Sequence, residues 1–291
     1  MDLSPAQIDR FLREGYLVIE NFFSRDVCET LMKRMEHIIA GHKETIPATV
    51  FSTRTNEHAL TDYFLNSGDR IHFFFEPGAF DNANTLIHPL EKSLNKVGHA
   101  LHEKDSVFRQ YSYDPRIKTI CRQLGFKKTC LLQSMYIFKQ PRIGAEVRCH
   151  QDATFLHARN SPVIGFWLAL EDATTENGCL QVLPTPHTTP LKKKMFRSPD
   201  DVISFEEYDA TPWNEEHCIS LEVKQGSLVL LHGHLPHKSH ANLSDKSRHA
   251  YTLHAIDADN PYPDSNWLRC PQGLPQWPDP SFPLSGDAVT N

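Results

Sequence analysis

The residues best able to do chemistry are histidines. The chain has 17 of them in 291 residues, and one, His150, stands two positions from Asp152 at a spacing that a metal ion can use. Residues two apart on a strand project to the same face, so an HxD segment offers an imidazole nitrogen and a carboxylate oxygen to one point. Iron(II) suits a mixed nitrogen and oxygen set, and a second histidine would complete a ligand face that leaves three positions open for a cosubstrate and oxygen. An isolated HxD is a weak signal in a chain this rich in histidine. The segment from His42 to Glu44 has similar spacing, but it follows Gly41 at a predicted helix end, where such residues do not converge, and it reads as a solvated cap.

Five histidines after the run SLVLL are candidates for the third ligand: His232, His234, His237, His240 and His249. Spacing to a basic residue separates them. His237 opens HKSHANLSDKSR, in which Ser239, Asn242, Ser244 and Arg248 suggest a strand, a turn and a return that carries a guanidinium back beside the metal. A guanidinium binds a carboxylate through two parallel hydrogen bonds, a geometry that lysine lacks.

These residues need a frame, and the length allows one large domain or two small ones. Thirty basic and 36 acidic residues are interspersed for a net charge of −6, with neither a basic stripe for nucleic acid nor an acidic arm. Seven cysteines without a CxxC pair are expected to be buried reduced thiols. The polar start DLSPAQIDR is unlike a signal peptide, no run is long enough for a membrane span, and the ending AVTN is not of the peroxisomal SKL type, so a cytoplasmic protein is expected.

Ser4 and Pro5 begin a helix that Gly15 ends, the run YLVIENFF follows as a strand, and Ser24 opens a second helix with Val27, Leu31, Met35 and Ile38 or Ile39 on one face. Residues 41–88 show no clean period, which predicts loops and short strands. Leu90, Leu94, Val97 and Leu101 have helical spacing, and a further helix runs from Asp114 and Pro115 to Gly125. The first 125 residues are thus expected to be mostly helical. From 126 to 256, β-rich runs such as TCLLQSMYIFK, VIGFWLAL and HAYTLHAI, separated by turn residues, predict an antiparallel sandwich or barrel. The Pro-, Asp- and Gly-rich residues 257–291 are expected to be surface coil.

Together, HQD, ENGCLQVLP and HxSxxNxSxxxR resemble the phytanoyl-CoA dioxygenase family, and the likeness extends over nearly the whole chain, including FLREGYLVIENFFS and LEKSLNKVGHAL. The resemblance implies a mainly β fold, a double-stranded β-helix of the jelly-roll or cupin kind with flanking N-terminal helices, in a single domain spanning 1–291. It implies that His150, Asp152 and His237 hold iron(II), that Arg248 anchors the 5-carboxylate of 2-oxoglutarate with Ser239 beside it, and that Lys96, Met135 and Trp167 line the cosubstrate. Dioxygen is then the second cosubstrate and ascorbate an accessory reductant; the partner is a small-molecule substrate rather than nucleic acid or membrane, and the chain is expected to be a monomer. Halogenating relatives replace the carboxylate ligand by a small residue, so Asp152 favours hydroxylation. LPTPH, ending at His187, stands where the family often has LPGSH, and substrate identity does not transfer with the resemblance. Two alternatives stay open: a metal and 2-oxoglutarate binding module without turnover, and a structural zinc site.

Overall fold

The computed structural model describes residues 1–53, 61–159 and 163–278. Six helices precede most of the strands: α1 Pro5–Glu14, α2 Arg25–His42, α3 Asp62–Leu65, α4 Leu101–Lys104, α5 Ser106–Ser112 and α6 Pro115–Gln123. In α1 the Ser4 side chain accepts from the Gln7 backbone while the Gln7 side chain accepts from the Ser4 backbone, a reciprocal cap. Gly15 ends the helix at φ 79. A methyl group there would meet Thr185 O at 2.8 Å and Leu235 Cδ1 at 2.9 Å, so glycine serves both the left-handed turn and close packing on the loop before His187.

The strands are β1 Tyr16–Ile19, β2 Ile71–Phe75, β3 Leu94–His99, β4 Thr129–Ile137, β5 Val147–His150, β6 Ile164–Ala169, β7 Leu180–Val182, β8 Lys193–Arg197, β9 Ile203–Glu207, β10 Ile219–Leu221, β11 Leu228–His232, β12 His237–Ser239 and β13 Ala250–Asp257. They form a seven-stranded sheet in the order β1-β11-β6-β13-β4-β3-β2, a four-stranded sheet in the order β10-β7-β12-β5, and a separate β8-β9 ribbon. The two larger sheets make the double-stranded β-helix. No helix among the described residues is long and apolar enough to cross a membrane.

The larger sheet explains why its strands read as continuous apolar runs rather than alternating ones. On β6, Phe166 and Leu168 join Phe11, Leu31, Met35, Phe108 and Ile120 of the helices, while Trp167 and Ala169 join Leu180, Val182 and Leu221 of the smaller sheet. Both faces are covered, so both sets of alternate residues are buried. On β13 the face toward the helices is apolar, but the face toward the smaller sheet carries Thr252 and His254, both buried. That polarity inside the sandwich marks where the site lies.

One expectation about the first 125 residues is corrected. Residues 94–99 are strand rather than helix: Lys96 pairs with Phe74 on β2 and Ile137 on β4, and tertiary pairing overrides the helical spacing of Leu90, Leu94, Val97 and Leu101. The helices of this segment are accompanied by β1, β2 and β3, three of the seven strands of the larger sheet. The β8-β9 ribbon and α5 had no separate signal in the sequence. Residues 258–278 hold no helix or strand, yet Trp267 and Leu268 pack into a core cluster with Phe64 and Leu156. The last part of the expected coil, 279–291, lies outside the described residues.

Truncating Phe166 to alanine should cost about 3–5 kcal/mol of unfolding free energy, since the ring is buried between helices and sheet. Urea denaturation of the metal-free protein measures it directly.

Candidate metal centre

Strand pairing brings the distant ligands together. β12 pairs with β5 so that His237 stands opposite His150, and their ring centroids are 4.3 Å apart. Asp152 is not on the strand, as the two-residue spacing had suggested. It opens a 3-10 turn over Asp152–Thr154, and its carboxylate still converges with His150 because the intervening Gln151 remains extended at φ −111 and ψ 132. Both imidazole Nε2 atoms lie 3.6 Å from Asp152 Oδ1, and one ligand atom from each of the three residues falls within 4.8 Å of the others.

Each ring is oriented from behind. His150 Nδ1 is 2.8 Å from Arg148 O and His237 Nδ1 is 3.1 Å from Leu235 O, so each Nδ1–H donates to a backbone carbonyl and each Nε2 lone pair faces the centre. Two nitrogens and one oxygen form a donor set that suits iron(II), whereas a structural zinc site takes four protein ligands and this group has three. HKE does not compete: His42 is tied to Ile38 O at the end of α2, and Glu44 is exposed.

His254 belongs to no motif, and it completes the surroundings of the carboxylate. From β13 its Nε2 reaches Asp152 Oδ2 at 3.3 Å. Gly165 gives the carboxylate its room, because a methyl group there would lie 3.1 Å from Asp152 Oδ2. Gln151, buried between the two ligands, donates to Pro190 O and His234 O and accepts from Lys192 N, which ties the β8-β9 ribbon to the ligand turn. The other distal histidines are elsewhere: His240 is exposed, and His249 Nδ1 pairs with Tyr136 Oη at 2.8 Å.

The charges follow from this geometry. Burial alone would raise the Asp152 carboxyl, but His237, His254 and His150 outweigh it and hold the group well below the ordinary carboxylate range. Burial, assisted by His150, pushes His237 down to about 4. Burial acts the same way on His150, where the hydrogen bond and charge of Asp152 prevail and hold the ring above 6.5.

Arg248 lies just before β13, buried at 2% exposure. Its Nε donates to Gly178 O at 3.1 Å, its guanidinium carbon is 5.2 Å from the centre of the Trp167 ring, and its buried Nη1 has no partner among the described residues. Asn242 holds the return between β12 and Arg248 by donating to Lys139 O and Lys246 O while accepting from Ser244. Ser239 is buried on the same strand as His237. Lys96 sits on the interior face of the larger sheet, its Nζ 3.4 Å above the Phe51 ring and 3.9 Å from Met135 Sδ. Burial pushes its ammonium down to about 7.

A model of the family described as phytanoyl-CoA dioxygenase (PhyH) matches residues 11–250. The chain belongs to the phytanoyl-CoA dioxygenase family. It is 43% identical to phytanoyl-CoA dioxygenase domain-containing protein 1 of Rattus norvegicus over 94% of this chain and 97% of the rat protein. It is 40% identical to the phytanoyl-CoA dioxygenase of Arabidopsis thaliana, covering 92% and 94%. Among solved structures, the non-heme alpha ketoglutarate dependent carbocyclase SnoK superposes with a TM-score of 0.61 at 20% identity, over 89% of this chain and 86% of that one. EctD from S. alaskensis, solved with 2-oxoglutarate and 5-hydroxyectoine, gives 0.59 at 19% identity, covering 90% and 78%. These structural likenesses establish the shared fold, and family membership makes the chain an oxygenase.

Replacing His237 by alanine should abolish metal binding and replacing exposed His240 should leave it intact. His254→Leu, which frees Asp152 Oδ2, should weaken it by about 10–100-fold. Titration with iron(II) under anaerobic conditions separates the three. Because protonated His150 cannot bind a cation, and the ring holds its proton more tightly than an ordinary imidazole, affinity in the same titration should weaken progressively as pH is lowered.

Proposed function

We propose that this chain is an iron(II)- and 2-oxoglutarate-dependent dioxygenase that hydroxylates a C–H bond of a small molecule. The observation that carries the reading is the unpartnered Nη1 of Arg248, buried in the same sandwich as the His150, Asp152 and His237 face. An arginine left short of a partner in a dry interior calls for an anion. A dicarboxylate that chelates a metal at one end and meets the guanidinium at the other answers both features.

In this reading His150, Asp152 and His237 hold iron(II), Arg248 and Ser239 receive the distal carboxylate, and Lys96, Met135 and Trp167 wall the cosubstrate. Iron and 2-oxoglutarate, when bound, supply the power to oxidise a C–H bond with dioxygen, releasing succinate and carbon dioxide. The protein positions and shields. Trp167 stacks against the Arg248 guanidinium and keeps it aimed. His254 and Gly165 set the place of the Asp152 carboxylate. His150 is the most open ligand, its side chain 25% exposed against 8% for His237 and 11% for Asp152. Substrate therefore approaches past His150 and Phe155, whose ring centre is 5.9 Å from the imidazole.

Release of labelled succinate from 2-oxoglutarate with added iron(II) tests the reading. Wild-type turnover that Asp152→Ala abolishes is expected, and a metabolite screen comparing the two proteins then identifies the substrate. Tight binding of 2-oxoglutarate without turnover would mean a binding module instead.

A further inference from the structure

Lys139 is a buried cation that the sequence did not single out. It follows β4, is 2% exposed, and sends its Nζ to Ala145 O at 2.6 Å and to Ser239 Oγ at 2.9 Å. Gly178, whose carbonyl accepts from Arg248 Nε, also accommodates Lys139: a methyl group at that position would lie 2.8 Å from Lys139 Cε and 2.7 Å from His240 O. Lys139, Ser239, Gly178 and Arg248 thus form one contiguous seat.

Burying two cations together requires an explanation, because each loses its hydration and they repel. Repulsion by Arg248 adds to burial in pushing Lys139 down to about 7. The carboxylate buried near them is Glu76, whose Oε2 is occupied by Asn95 Nδ2 at 2.8 Å and the Ala145 N–H at 3.0 Å. Burial raises its pKa, and the other carboxylates that act on the pair, Glu146 on Lys139 and Glu171 on Arg248, are only half-buried. The hydrogen bonding points the same way. A hydroxyl has one proton to give; Ser239 Oγ accepts from Lys139, and among the described residues its own proton has no acceptor.

We infer that Lys139 is a positioning residue for the distal carboxylate of the cosubstrate: by donating to Ser239 Oγ it turns the serine O–H toward that carboxylate, and its charge adds to that of Arg248. The inference rests on the 2-oxoglutarate reading above. It assigns the seat two cations, a serine whose proton is directed, and a glycine whose missing side chain leaves room for Lys139. The bond to Ala145 O would equally suit a purely structural clamp for the loop before β5, so the test must separate the two roles.

The full-length protein, loaded anaerobically with iron(II), is titrated with 2-oxoglutarate and with 2-oxopentanoate, which has the same carbon chain and oxo acid but no distal carboxylate. Binding is followed by calorimetry and by the rise in melting temperature. Lys139→Met should weaken 2-oxoglutarate by about 10–100-fold, the scale of a charge-assisted contact, while 2-oxopentanoate and iron(II) bind as in wild type. Combining it with Ser239→Ala should cost less than the sum of the single losses, because one residue acts through the other. An uncharged side chain of similar length avoids stranding a buried ion, and Lys139→Gln serves as a second variant should the methionine disturb folding. Equal weakening of both ligands, or no weakening of either, would overturn the inference in favour of the clamp. A wild-type protein with no preference for 2-oxoglutarate over 2-oxopentanoate would overturn the cosubstrate reading itself, and the inference with it.

Discussion

A carboxylate withdrawn from water must be surrounded by positive charge or polarised donors, and the buried Asp152 imposes that requirement on the interior of the sandwich. Its two oxygens face three imidazoles, contributed by β5, β12 and β13. Much of the surrounding architecture meets this demand. Antiparallel pairing sets His237 opposite His150, the 3-10 turn redirects the chain at Asp152, and the bare Gly165 on β6 lets the carboxylate approach. The face of β13 turned inward is polar where its other face is apolar, so a single strand belongs at once to the core and to the site.

A second concentration of charge lies at the other side of β12. His237 begins that strand and Ser239 ends it, so a three-residue strand spans from the metal cluster to the Arg248 and Lys139 pair. Residues two apart share a face and stand roughly 7 Å apart along an extended chain, a separation suited to a short molecule bearing a chelating group and a distant carboxylate. In the proposed 2-oxoglutarate reading, the spacing HxS sets the distance between the two ends of one ligand.

What could be read from the residues alone followed from periodicity and from motif spacing. The cap at Ser4, the helix over α2 and the strands after residue 125 carry local signals, and the structure has them. Lys96 shows the limit: Leu90, Leu94, Val97 and Leu101 have helical spacing, yet the segment is held as strand by β2 and β4, partners remote in sequence whose pull no local window contains. His150 and His237 were legible because an HxD and an HxSxxNxSxxxR are compact. His254 and Lys139 were not, since each lies in an ordinary strand run and acquires its role only by where its strand pairs. Thr252 and His254 alternate with Tyr251 and Leu253, an interior-polar pattern within an apolar strand that is the one local trace of the buried polar residues near Asp152.

The clearance at Gly165 has a consequence for how such a chain can diversify. With Asp152 Oδ2 where a methyl group would stand 3.1 Å away, that floor position cannot be enlarged to reshape the cavity without moving a ligand. Trp167, two residues on, is likewise committed to Arg248. Fewer constraints of this kind bear on the ribbon that Gln151 fastens to the turn at Asp152, and on the stretch around Phe155 that Asn266 of the C-terminal coil clamps through His157.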